Sequence, residues 1–260
     1  KQVQRFRCKL CGKNFSHATG KLNYRHKKRR EVPMIRAMYA SGMSIRRMAK
    51  VMRLHRTTIN RKIIYLGIKS QRNLSIFRNS LKNAPVTQLQ FDDLITIEHT
   101  KLKPLSISIA IDSSTRKFLA FSVSRIPAFG HLAEKSVRKY GKRKSEHRDG
   151  LNNLFKQLEA IVHPKATVQS DEHKFYPEFV ERYFPEANHQ RFKGGRGCVA
   201  GQGELKKLSY DPLFSLNHNF AMLRANINRL IRKTWCTTKC PEMLATHLSI
   251  YMDYHNQELV

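Results

Sequence analysis

Two acids stand out for the chemistry they could do together: Asp92 in "QFDDL" and Asp171 in "TVQSDEHKFYP". Each lies in a β-like run, Asp171 where its run stops, and side chains at strand ends of open α/β sheets project into the crevice that binds ligands. Two carboxylates brought into one crevice repel each other unless a divalent cation lies between them. Mg²⁺, or Mn²⁺ in its place, takes one or two carboxylates, keeps waters and accepts phosphate oxygens, and a pair of such ions serves to cut and join phosphodiesters. A second candidate set is Cys8 and Cys11 in "CKLCG", where Gly12 allows the tight turn that brings two thiolates to one Zn²⁺. They supply half of a tetrahedral site, and neither His17 nor His26 follows the usual spacing, so a further Cys pair is expected ahead of Lys1.

The charge says what such a site would meet. The chain has 260 residues, a formal net charge of +30 and a sequence pI near 10.4. Clustered Lys and Arg are stabilised beside phosphates and release counterions there, so nucleic acid leads the candidate partners. The excess is uneven: residues 1–91 hold 23 Lys and Arg against the single acid Glu31, and residues 92–260 hold 26 against 18. The front half reads as a polyanion-binding module and the back as an ordinary globular domain. Five cysteines are too sparse for a disulfide framework and point to a reducing, cytoplasmic setting. No run of about 18 apolar residues suggests a membrane span.

Next come the elements that must position these groups. Residues 1–31 comprise the Cys-x-x-Cys hairpin and a basic linker, and periodicity begins at Val32. Within 32–69 the pattern predicts a helix over about Pro33–Ala40, a break at Ser41-Gly42, a second helix N-capped by Ser44, a turn at Arg53-Leu54 and a third helix over about Arg56–Tyr65. Small Ala49 among Ile45, Leu54 and Ile59 suits two helices crossing closely, as in a helix-turn-helix, although Arg53 stands where Gly is commoner. In that arrangement Arg56, Thr57, Thr58, Asn60, Arg61 and Lys62 line the recognition helix and enter the major groove of double-stranded DNA. Residues 70–85, with little periodicity, read as a linker.

From Val86 the pattern turns to strands, three as a meander in "VTQLQFDDLITIEH", "LSISIAID" and "RKFLAFSVSRI". A helical region with a basic insert follows, then the strand "ATVQSD", the helix "KFYPEFVERYF", a short strand at "HQRFK", a Gly-rich loop and a long helix from Pro212. The order βββ-α-β-α-β-α predicts an α/β fold, a mixed sheet flanked by helices. The "DSST" acid, Asp112, is expected to close a turn rather than bind metal. Cys236 and Cys240 read as two buried thiols on one helix.

Taken in order, "RFRCKLCGKNFS", "SIRRMAKVMRLHRTTINRK", "QFDDL", "IAIDSSTRKFLAF", "SDEHKFYP" and "NHNFAMLRANINRLIRKTW" resemble a bacterial insertion-sequence transposase of the DDE type. The likeness spans nearly the whole chain and rests on motif order more than on any one motif. It implies a partial zinc ribbon, a helix-turn-helix and, over 86–260, an RNase H-like catalytic domain. It also implies Asp92 and Asp171 as the first two catalytic acids, with Asp93 the fallback for the first, since alternation alone does not choose between neighbours. At the third position the family's final helix usually carries Glu, and in some relatives Asn, with Lys or Arg seven residues on; here Asn217 and Arg224 hold that spacing, and Glu204, in the Gly-rich loop, is the competing acid. The amide oxygen of Asn217 can ligate a hard cation without adding charge. The resemblance further implies hydrolysis and strand transfer at Mg²⁺-activated phosphodiesters, DNA partners at element ends and target, a homodimer or larger synaptic assembly, and a cytoplasmic, nucleoid-associated protein. Asn217 also leaves open a catalytically inactive, transposase-derived regulator, and an RNase H-like nuclease acting on other substrates is a third reading.

Overall fold

The computed structural model describes residues 3–193, 211–230 and 236–260. The chain opens with a two-stranded antiparallel hairpin, β1 (Phe6–Arg7) and β2 (Asn14–Phe15). Three helices follow: α1 (Val32–Ala40), α2 (Ile45–Val51) and α3 (Arg56–Ser80). Ser44 caps α2 by accepting the Arg47 amide at 3.4 Å, and the α2–α3 turn passes through Arg53 at φ 51°. The left-handed backbone at Arg53 explains why glycine is the commoner residue in such turns.

The remaining strands are β3 (Val86–Glu98), β4 (Thr100–Asp112), β5 (Phe118–Arg125), β6 (Val162–Asp171) and β7 (Asn188–Phe192). Interspersed are α4 (Ala133–Tyr140), α5 (His147–Leu158), α6 (Tyr176–Tyr183), α7 (Phe214–Asn226) and α8 (Pro241–Tyr254). The strands form one mixed sheet of order β5-β4-β3-β6-β7, antiparallel through β5, β4 and β3 and parallel from β3 to β7. Each face has its own core. Leu89 and Phe91 of β3 join Leu151, Phe155, Tyr176 and Phe179 of α5 and α6. Leu94 and the β4 isoleucines join Leu216, Phe220 and Leu223 of α7 and Leu244 and Leu248 of α8. The α/β expectation, a mixed sheet with helices on both faces, is borne out.

Two features depart from the sequence reading. Residues 70–85 are not a linker through most of their length: α3 runs unbroken to Ser80, well past Tyr65. Its far half lies against α8, and the contact face carries small and polar residues. Gly67 sits so close to Thr246 that a Cβ there would overlap its methyl group, and buried Ser70 donates to Asp253 Oδ2 at 2.8 Å. Hydrophobic periodicity therefore fades although the helix continues. The core among α1, α2 and α3 is likewise completed from afar, since Ile250 of α8 packs among Ile35, Met48, Ile59 and Ile63, and His247 stacks on Tyr39 at 3.9 Å. Cys236 and Cys240 do not share a helix either: Cys236 is exposed, and Cys240, at the N-cap of α8, places its thiol 2.7 Å from Glu242. Among the described residues no helix is long and apolar enough to cross a membrane.

Candidate active site

β3 and β6 run parallel, with Gln90 opposite Gln169. Carried two residues further, that register sets Asp92 beside Asp171. Side chains alternate along a strand, so Asp92 shares a face with Gln90 and Asp171 with Gln169, and both acids come to the same side of the sheet. Asp171 is the last residue of β6, and its Oδ1 accepts the His173 amide at 2.9 Å, turning the chain toward α6. Tyr176, buried at the start of α6, donates its hydroxyl to Asp92 Oδ1 at 3.1 Å.

Burial, and then the neighbouring charge of Asp171, push the Asp92 carboxyl up from an ordinary 3.8 to about 7; the Asp93 amide and the Tyr176 hydroxyl oppose the rise and are outweighed. Tyr176 is raised well above a normal phenol by burial and by the charges of Asp93, Asp92 and Asp171. It therefore stays protonated and can only donate to the carboxylate.

Asp93 has a separate role. On the opposite face of β3, its Oδ2 lies 2.5 Å from His147 Nε2 at the start of α5, and its Oδ1 accepts the Ser108 hydroxyl of β4. Burial works to raise this carboxyl, but the His147 hydrogen bond and charge, with the Ser108 and Ser106 hydroxyls, outweigh it and hold Asp93 below the ordinary carboxylate value. With both oxygens engaged on the α5 side, Asp93 is fixed in place, and of the two adjacent acids Asp92 is the one that shares a face with Asp171.

A glutamine ladder aligns the strands with α7. Gln169 Nε2 donates to Gln190 Oε1 at 3.0 Å, and Gln90 Nε2 donates to Gln169 Oε1 at 2.8 Å and to the Pro212 carbonyl at 2.9 Å. Gln90 Oε1 accepts the Leu216 amide at 3.1 Å, so a buried side chain two residues before Asp92 anchors the first turn of α7. Asn217 follows Leu216 and is exposed. Its Nδ2 donates to Asp211 Oδ2 at 2.9 Å, and this orients the amide oxygen as the end available to a cation. Asp211, unremarked in the sequence, is thus an acid tied to Asn217; its place just ahead of a helix start in "DPLFSLN" was the available signal. Arg224 lies two turns along α7 and is partly buried. Glu204 falls outside the described residues. Asp112 closes its turn as anticipated, accepting Ser114 and Thr115 hydroxyls at 2.6 and 2.7 Å.

Among the described residues no three His, Cys, Asp or Glu side chains form a ready metal cluster; what the register brings together is a set of two carboxylates, Asp92 and Asp171. That set suits a hard cation, and the raised Asp92 marks an electrostatic conflict that a cation between the two acids would relieve.

At the N-terminal hairpin the Cys8 thiol is lowered by hydrogen bonds from the Cys11 and Leu10 amides and then from the Cys11 side chain, which favours the thiolate a metal needs. His26 packs against Tyr65 at 5.6 Å between ring centres, away from the cysteines' turn.

Along the start of α3, Arg56, Thr57 and Arg61 are exposed and Thr58 and Asn60 partly so. Lys62 is the exception and corrects the sequence reading: only 1% exposed, it points inward and donates to the carbonyls of Lys27 and Lys28, at 2.8 Å each. The ammonium satisfies two main-chain acceptors of the basic segment and ties it to α3, so it does not face a groove. No protein-family model matches the chain, and no curated protein matches it.

Proposed function

We propose that the chain is a DDE-type DNA transposase with an RNase H-like catalytic domain and an amide at the third catalytic position. The observation that carries the reading is the pairing of Asp92 and Asp171, brought into register on adjacent parallel strands and close enough for the second to raise the first. The strand order supports it, three antiparallel strands followed by two parallel ones with both acids on the central pair. Asp92, Asp171 and the Asn217 oxygen would hold Mg²⁺ or Mn²⁺, which when bound activates water or a 3′-hydroxyl towards a phosphodiester.

The chain's own residues do the rest. Tyr176 holds Asp92 by a hydrogen bond, Asp93 and His147 brace β3 against α5, and Gln90 sets the first turn of α7. Arg56, Thr57, Thr58, Asn60 and Arg61 would read the element end, and Arg224 would meet the DNA backbone. Cys8 and Cys11 would supply two of four Zn²⁺ ligands. Strand transfer needs two ends at once, so a homodimer or larger assembly on DNA is part of the reading.

A second reading, a DNA-binding regulator that no longer cuts, is favoured by one observation, the amide of Asn217 where the family usually carries an acid. Strand cleavage and joining of element-end DNA with Mg²⁺ or Mn²⁺ separates the two. The enzyme reading expects cleavage that Asp171→Ala abolishes while DNA binding persists. Binding without cleavage under either metal supports the regulator, and cleavage without strand transfer supports a nuclease.

A further inference from the structure

Beyond Asp92, β3 and β4 continue as a hairpin whose tip lies at His99. At about 3.3 Å per residue, the tip region around Glu98 is about 20 Å along the strand from the Asp92 position. α4 packs against this hairpin, with buried Ser136 donating to the Leu102 carbonyl at 2.7 Å. Between them is a cleft of about 320 Å³ lined by Lys103, Arg125, Ser136, Tyr140, Lys142 and Arg143, with Glu98 the one acid in its wall.

The charge in this cleft is unbalanced in a particular way. Glu98 is already held by Arg143 at 2.6 Å and by Arg125 at 3.9 Å. Arg125 also reaches Glu146 and Glu242, at 3.7 and 3.8 Å. Arg143 Nη1 is buried and has no partner, so one arm of the guanidinium grips Glu98 and the other is unsatisfied. A buried donor left unpaired is costly, more so when charged, and an acceptor drawn into the cleft would relieve it. Around the mouth, Lys139, Lys142 and Lys144 are exposed on α4 and the loop after it. The ring of Tyr140 lies under Lys103 at 4.4 Å and Lys139 at 5.5 Å. Val137 and Tyr140 are exposed among these cations, at 53% and 40%. A solvated charge run explains the lysines; it does not explain a half-buried guanidinium with an idle Nη1 inside a cationic cleft.

We infer that this cleft and the lysine ridge at its mouth grip the phosphate backbone of a DNA duplex, as a second nucleic-acid surface separate from α3. One phosphate fits the cleft against Arg143 and Lys142, and the ridge follows the strand. Phosphates of one strand rise about 3.4 Å each along the duplex axis, so a duplex lying along β3 would meet the cleft about six nucleotides from the site at Asp92. The assignment of that duplex to the one being cut or joined rests on the transposase reading; the binding surface itself does not.

The test uses the full chain carrying Asp171→Ala, in EDTA, so that no cleavage enters the result. A random-sequence duplex is titrated by fluorescence anisotropy over a range of salt, with Lys139→Gln/Lys142→Gln/Lys144→Gln set against Lys82→Gln/Lys156→Gln/Lys165→Gln. The latter three lysines are also exposed and lie toward the Val86 end of the sheet, so this variant controls for loss of charge alone. Each lost phosphate contact removes about 0.9 from the slope of log K against log salt, so the ridge variant is expected to be shallower by about 2 to 3 and the control close to unchanged. Lysine acylation footprinting gives a second readout free of substitutions, with Lys139, Lys142 and Lys144 expected to be protected by the duplex. Equal slopes for the two variants, or no protection, overturn the inference. Protection, with a wild-type chain that does not cleave element-end DNA under Mg²⁺ or Mn²⁺, upholds the surface and removes the transposase reading, whereas wild-type cleavage without protection does the reverse.

Discussion

Replacing Asp92 by asparagine gives a direct test of the electrostatics at the site. Burial and the Asp171 charge hold the Asp92 carboxyl at about 7 in the folded chain, against an ordinary 3.8. Between those values the folded protein keeps a proton that the unfolded chain has released. Stability from this group is therefore complete below the lower value and is lost as pH rises through the upper one. At about 1.36 kcal/mol per pH unit the interval is worth about 4 kcal/mol. His247 titrates over an overlapping range with the opposite sign. Burial, and then the Arg229 charge, lower it from 6.5 to about 3, so its contribution grows as pH rises to its ordinary value. The raw pH profile of the protein mixes the two effects, but the difference between Asp92→Asn and wild type isolates Asp92, because both proteins contain His247. Urea unfolding in EDTA should find the two about equal near pH 4 and Asp92→Asn more stable by up to about 4 kcal/mol near pH 8. Adding Mg²⁺ near pH 8 should then stabilise wild type by about 2.7 kcal/mol at a hundredfold excess over Kd and leave Asp92→Asn unmoved. A wild-type-to-variant difference that stays constant across the pH range would refute the conflict between the two acids.

Three further outcomes follow from individual residues. Arg53→Gly should raise stability in thermal unfolding by about 1 kcal/mol, because the turn holds Arg53 at positive φ. Arg61→Gln should reduce the salt slope of DNA binding by about 1, whereas Lys62→Met, which orphans two carbonyls, should cost about 1–3 kcal/mol of folding stability and leave that slope in place. His147→Ala should cost about 3–5 kcal/mol in urea unfolding by leaving the Asp93 carboxylate buried and unpaired, and the double change with Asp93→Asn should recover part of the loss.

The elements whose residues announce their own environment were legible in the sequence. β3, β4 and β5 carry Ile- and Phe-rich runs buried against helices, and their alternation matches the strands within a few residues. The cap at Ser44 and the irregular turn at Arg53 were equally readable, since each depends on local backbone chemistry. What escaped depends on partners far away in the chain. The second half of α3 carries glycine and serine where it meets α8, so its helical stripe is invisible until α8 is beside it. Lys62 looks like any other base in a recognition helix, and only the carbonyls of Lys27 and Lys28 show that its charge is turned inward.

The site divides in the same way, and the division bears on its chemistry. In the sequence, Asp92 is preferred over Asp93 only by the resemblance, since strand alternation alone does not choose between them. The folded chain separates them by giving each a different field. His147 and the β4 serines stabilise the charge on Asp93, and burial with Asp171 destabilises the charge on Asp92. Side chains one residue apart on a strand must face opposite ways, so satisfying one acid on the α5 side commits the other to the face where β6 ends. A carboxylate already hydrogen-bonded by His147 and Ser108 has little to gain from a cation, whereas one held near neutral pH by burial and a second acid gains a great deal. The same argument gives Gln90 its importance: by bonding both Gln169 and the first turn of α7, it couples the spacing of the two acids to the position of Asn217, so a change at this uncharged residue should disturb all three at once.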